Sequence, residues 1–182
     1  MLIKTVFSGF GGQGVLMMGY AFAVAAMMED REVTYLPSYG AEVRGGTANC
    51  TVAISDEEIA SPIASSPEYV VVMNKPSLFA FQSTLESGGT LFVNSTMIHE
   101  APMRKDIEVV TIDAGKQAEE MGDIRAANMV MLGAFIRTTN LVTIQKVTDG
   151  LGEIFEGKQK VIEMNAKALR IGYDIILRVD ER

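Results

Sequence analysis

Hydrophobic residues occur in short runs that alternate with glycine-rich turns and segments of helical spacing. The runs predict strands, whose residue ranges are 2–7, 32–36, 47–54, 69–73, 90–94 and 107–112. The run 69–73 is apolar at every position, which is typical of a central parallel strand covered on both faces. A connection without helical spacing precedes 47–54, and this favours an antiparallel or wide-turn pairing there. Pro37 is expected to end the strand 32–36.

Apolar residues with helical spacing occur between the predicted strands and are most frequent in the last third of the chain. Residues 15–29 suit a helix after a glycine turn, and Pro76 marks a second helix start. Apolar stripes predict helices over 127–135 and 144–155, and a long helix from Lys158 whose apolar face is expected to pack on its own sheet rather than on a partner. The predicted fold is α/β, an open, mostly parallel Rossmann-like sheet flanked by helices, in one domain spanning 1–182.

Composition narrows the function classes. The 182 residues carry 16 basic and 23 acidic side chains, giving a net charge of −7, and nucleic acid is therefore not an expected partner. No secretory signal or membrane-spanning segment is recognised, so we expect a cytoplasmic protein away from membranes. The single cysteine, Cys50, and the single histidine, His99, cannot supply an iron–sulfur or zinc site. We expect Cys50 to be buried and His99 to lie on the surface.

A glycine turn between a predicted strand and helix fits the pattern G-x-G-x-x-G, in which backbone amides approach a phosphate. Its candidate residues are Gly9, Gly11, Gly12, Gln13 and Gly14. No acidic residue ends the next strand to hold a ribose, and no Lys-Ser/Thr follows Gly14, which disfavours NAD and Walker-type sites. Two interpretations stay open: a nest with the Gln13 amide that holds an anion or a neighbouring subunit's backbone, and a tight turn for close helix–strand packing.

The segment 37–46 contains three glycines and a proline, and it is predicted to be a loop on the surface or against a partner. Glu42 and Arg44 can pair with each other, face a carboxylate or phosphate, or remain solvated at the rim. The candidate interface or binding residues of this segment are Ser38, Tyr39, Gly40, Glu42, Arg44, Gly45 and Gly46.

Three motifs in order carry a family resemblance: GFGGQGV at 9–15, PSYGAEVRGG at 37–46 and ISDEEIASP at 54–62. Together they resemble the gamma subunit of the 2-oxoacid:ferredoxin oxidoreductases, within the pyruvate ferredoxin oxidoreductase gamma-domain family. The resemblance also takes in the strand before Asn74 and the region 128–133. The forms of the first two motifs are more similar to the 2-oxoglutarate and 2-oxoisovalerate members than to the pyruvate members.

The resemblance implies a subunit of a complex that oxidatively decarboxylates a 2-oxoacid, most similar to 2-oxoglutarate synthase, transfers the acyl group to coenzyme A and reduces ferredoxin. It implies alpha and beta partner subunits, with or without a delta subunit. Thiamine diphosphate and the iron–sulfur clusters are expected on those partners, and this chain alone is expected to bind no cofactor and to be inactive. The candidate residues of the turn and of 37–46 would then lie at the subunit interface or the coenzyme A site, with Arg44 facing an anion.

Two other functions remain open. The turn 9–14 could serve a stand-alone dinucleotide-dependent oxidoreductase, or a Rossmann-like module that binds a nucleotide or coenzyme A. The residues support no metal site, and no catalytic residue is assigned.

Overall fold

The computed structural model describes residues 1–39 and 46–180 of the chain. The strands are β1 (Leu2–Phe10), β2 (Glu32–Tyr39), β3 (Thr47–Ser55), β4 (Tyr69–Val72), β5 (Thr90–Asn94) and β6 (Glu108–Ile112). The helices are α1 (Val15–Met27), α2 (Lys75–Phe81), α3 (Ala114–Met121), α4 (Ala127–Thr139), α5 (Ile144–Ile154) and α6 (Gln159–Asp180), with a short 3₁₀ helix at Ile124–Ala126.

Within the described residues the strands form one mixed sheet in the order β2-β3-β1-β4-β5-β6. β4 pairs in parallel with β1 and β5, and β5 pairs in parallel with β6. β3 runs antiparallel to both β1 and β2. The predicted mostly parallel α/β sheet is confirmed, as are the antiparallel arrangement around β3 and the central position of β4.

The two faces of the sheet are covered differently. Alternate residues of the central strands, Phe7, Val71 and Phe92 among them, face a large core that includes α1, α4 and α5. The intervening residues, such as Val6 and Val70, face a smaller core with Leu78 of α2. The helix after β1 therefore lies on one face and the helix after β4 on the other. The chain reverses its winding between β1 and β4, which is where open α/β sheets place ligand crevices.

The larger core has α4 at its centre. Asn128 to Ile136 of α4 are all buried, and Phe135 makes edge-on ring contacts with Phe7, Phe22 and Phe92 at centroid distances of 5.2–5.5 Å. α6 packs mainly on α4. The prediction that the apolar face of the last helix packs directly on the sheet is therefore wrong, because α4 lies between α6 and the sheet.

Two linked sequence predictions are wrong: the strand 32–36 does not end at Pro37, and residues 37–39 belong to β2 rather than to the predicted loop 37–46. β2 does not stop at Pro37: it continues to Tyr39, and Pro37 lies in register with Cys50. β2 is an edge strand, where a missing N–H on the outer side costs no ladder hydrogen bond. The eight-residue helix α3 has no clear signal in the sequence, because AGKQAEEM is short and carries few apolar residues.

Candidate functional site

The glycine turn connects the carboxyl end of β1 to the start of α1. Gly12 and Gly14 have φ angles of 101° and 70°, values that other residues rarely adopt. Gly9 is needed for space, since a Cβ there would lie 2.7 Å from Gln13 Oε1 and 2.8 Å from Val15 Cγ1. The turn therefore requires glycine for two reasons: the positive φ angles at Gly12 and Gly14, and the lack of space for a side chain at Gly9.

The side chain of Gln13 faces inward and holds the turn against the sheet. Its Oε1 accepts hydrogen bonds from the backbone N–H of Phe10 at 2.7 Å and from Asn74 Nδ2 at 3.0 Å. Its Nε2 donates to the carbonyl oxygen of Met73 at 3.3 Å. The amide that the sequence offered as an anion contact thus has internal partners at both ends, and it positions the backbone of the turn.

Asn74 joins this turn to the opposite face of the sheet. It is the N-cap of α2, where its Oδ1 accepts from the N–H of Ser77 at 2.9 Å while its Nδ2 reaches Gln13. Ser77 Oγ in turn accepts from Ser8 Oγ of β1 at 2.9 Å. Asn74, Ser8 and Ser77 are all buried, so a buried polar network joins the ends of β1 and β4.

The segment 37–46 reaches the same edge of the sheet. Tyr39 at the end of β2 pairs with Ala48, which also pairs with Gly9. Gly46 accepts a hydrogen bond from the N–H of Gly11 at 2.9 Å. Ser38 is exposed in β2. The two predicted candidate segments are therefore adjacent through Gly46, while Gly40, Glu42, Arg44 and Gly45 lie outside the described residues.

A cavity of about 220 Å³ opens beside the turn, at the carboxyl ends of β1, β4 and β5. We call it the switch-point cavity. The residues that line it are Gly12, Gln13, Met73, Asn94, Thr96, Met97, Gly115, Ile124, Arg125 and Ala127. Sequence analysis identified Gly12 and Gln13 as candidate site residues and missed the other lining residues. The position of Asn94 at the end of a predicted parallel strand was the available signal, because such ends line the crevice of an open α/β sheet.

An ion pair lies at the cavity mouth. Arg125 donates from Nε to Asp123 Oδ1 at 2.9 Å and from NH2 to Asp123 Oδ2 at 2.7 Å. The Arg125 guanidinium lowers the pKa of the Asp123 carboxyl, and the carboxyl raises the pKa of Arg125. The Arg125 side chain is 81% exposed, and its charge is offset by this partner.

Cys50 and His99 lie where the sequence predicts. Cys50 is buried, and desolvation raises the pKa of its thiol to about 12, so the thiol stays protonated at neutral pH. His99 is exposed. Over 1–39 and 46–180, no group of three His, Cys, Asp or Glu side chains is arranged to hold a metal ion. None of the helices in this part of the chain is both long and apolar enough to cross a membrane.

A model of the family described as pyruvate ferredoxin/flavodoxin oxidoreductase matches residues 4–175. Ketoisovalerate oxidoreductase subunit VorA of Methanothermobacter marburgensis is 37% identical over 174 residues, 94% of this chain and 36% of VorA. The chain thus spans about a third of the VorA length. The 2-oxoglutarate synthase subunit KorC of the same organism is 34% identical over 178 residues, 93% of this chain and 94% of KorC.

Among solved structures, the gamma subunit of a keto/oxoacid ferredoxin oxidoreductase from Geobacter sulfurreducens is similar to this chain. The TM-score is 0.83 at 25% identity, covering 97% of this chain and 99% of that subunit. These similarities confirm the family resemblance that the three motifs carry.

Proposed function

The chain belongs to the pyruvate ferredoxin/flavodoxin oxidoreductase family, and we propose that it works as the gamma subunit of a 2-oxoacid:ferredoxin oxidoreductase whose substrate is 2-oxoglutarate. The observation that carries this proposal is the end-to-end match to KorC, of which the chain covers 94% at 34% identity. The reaction proposed for the assembled enzyme is oxidative decarboxylation of 2-oxoglutarate with transfer of the acyl group to coenzyme A. Ferredoxin accepts the electrons, and the complex is proposed to be cytoplasmic.

A second substrate, ketoisovalerate, is favoured by one observation. VorA has the higher identity, 37%, although the match covers about a third of its length. We propose 2-oxoglutarate as the first choice because the match covers 94% of KorC, whereas it covers 36% of VorA. The complex is proposed to contain alpha and beta subunits, with or without a delta subunit.

The residues of this chain do not fit the iron–sulfur clusters or the thiamine diphosphate of such a complex. An iron–sulfur cluster is held by several thiolates, whereas the sequence has one cysteine, whose thiol is buried and protonated at neutral pH. The sequence also lacks the Gly-Asp-Gly motif for thiamine diphosphate, since Gly122-Asp123 is followed by Ile124. We therefore propose that the partner subunits hold both groups, and no catalytic step is assigned to this chain.

The proposed contribution of this chain is a rigid edge that faces the catalytic subunits and coenzyme A. Gly11 and Gly46 join the two candidate segments by one backbone hydrogen bond, and the Gln13–Asn74 contact fixes the turn from below. Backbone amides at a helix start attract phosphate groups. Arg44, two positions before Gly46 in the sequence, is the residue we propose to face a coenzyme A phosphate or carboxylate.

Purification of the tagged chain from its native cells tests the proposal. The expected preparation contains larger subunits, absorbs visible light as iron–sulfur proteins do, and reduces viologen when 2-oxoglutarate and coenzyme A are added. Ketoisovalerate and pyruvate are assayed in parallel, and higher kcat/KM with either would replace 2-oxoglutarate as substrate. A colourless chain without partners, with tags tried at each terminus, would contradict the subunit assignment.

A further inference from the structure

The switch-point cavity is an apolar recess that opens to the surface. Met73, Met97, Ile124 and Ala127 contribute apolar side chains to its lining. Met73 is 1% exposed and belongs to the buried end of the recess, whereas Met97 and Ile124 are 50% and 56% exposed at the mouth. Exposed apolar side chains that gather at one place, rather than being scattered singly, mark an interaction surface.

Charge is confined to the rim of the cavity. Arg125 is the one charged side chain of the described lining, and it makes two hydrogen bonds to the Asp123 carboxylate. The Gln13 amide is hydrogen-bonded within the protein at both ends, so it does not require a polar ligand. An apolar centre inside a polar rim is the usual arrangement of a protein–protein interface.

The size of the cavity corresponds to one large side chain. A dry apolar cavity of about 150 Å³ holds benzene, so a cavity of about 220 Å³ accommodates an aromatic ring. Pockets for drug-sized ligands are larger, roughly 300–1,000 Å³. The thioethers of Met73 and Met97 also make favourable contacts with aromatic rings. An aromatic side chain therefore fits both the volume and the lining.

Two observations indicate which molecule supplies this side chain. Gly12 and Gln13 line the cavity and belong to the turn proposed above to lie at the subunit interface, so the cavity is continuous with that interface. In VorA the region similar to this chain belongs to a longer polypeptide, since the match covers 94% of this chain and 36% of VorA. Where the gamma subunit is a separate chain, the remainder of VorA corresponds to a separate subunit.

We propose that the switch-point cavity receives an aromatic anchor side chain from the partner subunit that corresponds to the remainder of VorA. This inference rests on the proposed function. The ring contacts Met73, Met97 and Ile124, and the Arg125–Asp123 pair stays at the solvated rim. Anchor residues that fill a pocket supply a large share of the binding free energy of an interface. Loss of this contact therefore weakens assembly of the complex.

Matched isoleucine variants test the mouth of the cavity. Ile124→Gln places a polar group there without adding a charge beside Asp123. Ile63→Gln is the control, because Ile63 is 64% exposed, lies outside the lining and accepts from Lys4 Nζ near the start of β1, at the end away from the cavity. The Kd of each variant for the co-expressed partner subunits is measured by calorimetry. We expect binding weakened at least about tenfold for Ile124→Gln and unchanged for Ile63→Gln. Equal Kd values for the two variants would overturn the proposal.

A methyl signal distinguishes insertion of a ring from simple coverage of the mouth. The full-length chain is labelled with ¹³C at the methionine methyl groups and combined with unlabelled partner subunits. Met73 and Met18 are both buried, but of the two only Met73 lines the cavity. We expect a ring-current shift at Met73 and none at Met18. An unchanged Met73 signal in the assembled complex would show that no ring enters and would overturn the proposal.

The same experiments separate this inference from the proposed function. If the unmodified chain bound no partner subunit, both would be overturned. If it bound partners and supported turnover while Ile124→Gln bound them equally well, only this inference would be overturned. A dimer of the isolated chain that Ile124→Gln dissociates would assign the cavity to a second copy instead, and would also overturn the proposal. Circular dichroism verifies that both variants are folded, as expected for side chains that are more than half exposed.

Discussion

Asn128 and Gly14 are 114 positions apart in the sequence, and a hydrogen bond of 3.1 Å joins them, from Asn128 Nδ2 to the Gly14 carbonyl oxygen. The same carbonyl accepts from the N–H of Met18 in the first turn of α1. Asn128 Oδ1 accepts from the N–H of Met129 at 2.9 Å. One amide therefore ties the start of α4 to the start of α1, so the position of the glycine turn depends on the helical layer as well as on β1.

This contact predicts that Gly14→Ala destabilises the protein strongly. A Cβ at Gly14 would overlap Asn128 Nδ2 and lie 2.9 Å from Asn128 Cγ, and the φ of 70° is unfavourable for alanine. We expect a loss of about 2–5 kcal/mol in the free energy of unfolding, from left-handed strain and overpacking together. Urea denaturation followed by circular dichroism measures it.

Gly12→Ala is the matched control, since its φ is 101° but nothing lies within 4 Å of its Cβ position. It is expected to lose about 1–2 kcal/mol from backbone strain alone. Equal losses for the two variants would contradict the role given to the Asn128 contact.

A second pair of glycines sets the distance between α4 and α6. A Cβ at Gly172 would overlap the Val130 carbonyl oxygen, and one at Gly133 would overlap that of Leu169. Because both obstacles are backbone, they can move apart only if the helices separate. We expect Gly172→Ala to cost about 3 kcal/mol or more in the free energy of unfolding, measured as above.

Gly152→Ala is the control for Gly172→Ala, because the same substitution is expected to stabilise the protein at Gly152. Gly152 lies in α5 with nothing within 4 Å of its Cβ position and without a positive φ. Alanine is expected to stabilise the protein by about 0.4–1 kcal/mol there, because it restricts the unfolded chain and favours helix. Destabilisation by Gly152→Ala would show that its surroundings are tighter than the structure indicates.

The sequence predicts the sheet better than the cavity, for a physical reason. Strands such as β4 and β5 are apolar because both faces are covered, and this local pattern is readable without knowing the neighbours. The partner of Gln13 is Asn74, 61 positions away, and the lining residue Asn94 is separated further still. Such contacts depend on the order of strands in the sheet, which periodicity does not encode.

The buried helix α4 shows a related limit. Its stripe at 127–135 predicts a helix correctly, but a stripe indicates one buried face, whereas α4 is buried on all sides between the sheet and α6. The glycines that permit this, Gly133 and Gly172, read in the sequence only as weak helix formers. Their packing role appears once the two helices are placed together.

Asn74 is predicted to stabilise the folded protein through two separate contacts. Asn74→Ala removes the N-cap of α2 and the hydrogen bond to Gln13, and we expect it to lower the free energy of unfolding by about 2–3 kcal/mol. Asn74→Ser keeps a capping oxygen but loses the reach to Gln13, so its loss should be about half as large. Denaturant titration of both variants checks this, and similar losses would assign the whole effect to Gln13.

The Arg104–Asp106 pair predicts a pH dependence of stability. Arg104 hydrogen-bonds both oxygens of Asp106 and the carbonyl oxygens of Gln82 and Leu85. The Arg104 guanidinium lowers the pKa of Asp106 in the folded protein. A lowered folded-state pKa stabilises the fold above the unfolded pKa of about 3.9, and this stabilisation is lost as the pH falls through the folded-state value.

We therefore expect Asp106→Asn to be less stable than the unmodified protein at pH 7, with a difference that shrinks as the pH falls below about 4. The free energy of unfolding at pH 7, 5, 4 and 3 measures this difference. Asp106 is exposed, so 1 M salt should reduce the difference at pH 7. A difference that grows towards acid pH would contradict the sign of the pKa change.

Arg44→Ala tests the proposed coenzyme A contact in the assembled enzyme. Loss of a charged hydrogen bond to a coenzyme A anion should raise the KM for coenzyme A by the equivalent of about 1.5–3 kcal/mol, roughly 10- to 150-fold. The KM for the 2-oxoacid should stay unchanged, since that substrate is not the proposed partner of Arg44. Arg44→Lys keeps the positive charge but lacks the planar guanidinium. Its KM for coenzyme A is expected to lie between those of the unmodified enzyme and Arg44→Ala. An unchanged KM for coenzyme A in Arg44→Ala, with the complex intact by gel filtration, would place Arg44 among the solvated residues of the rim.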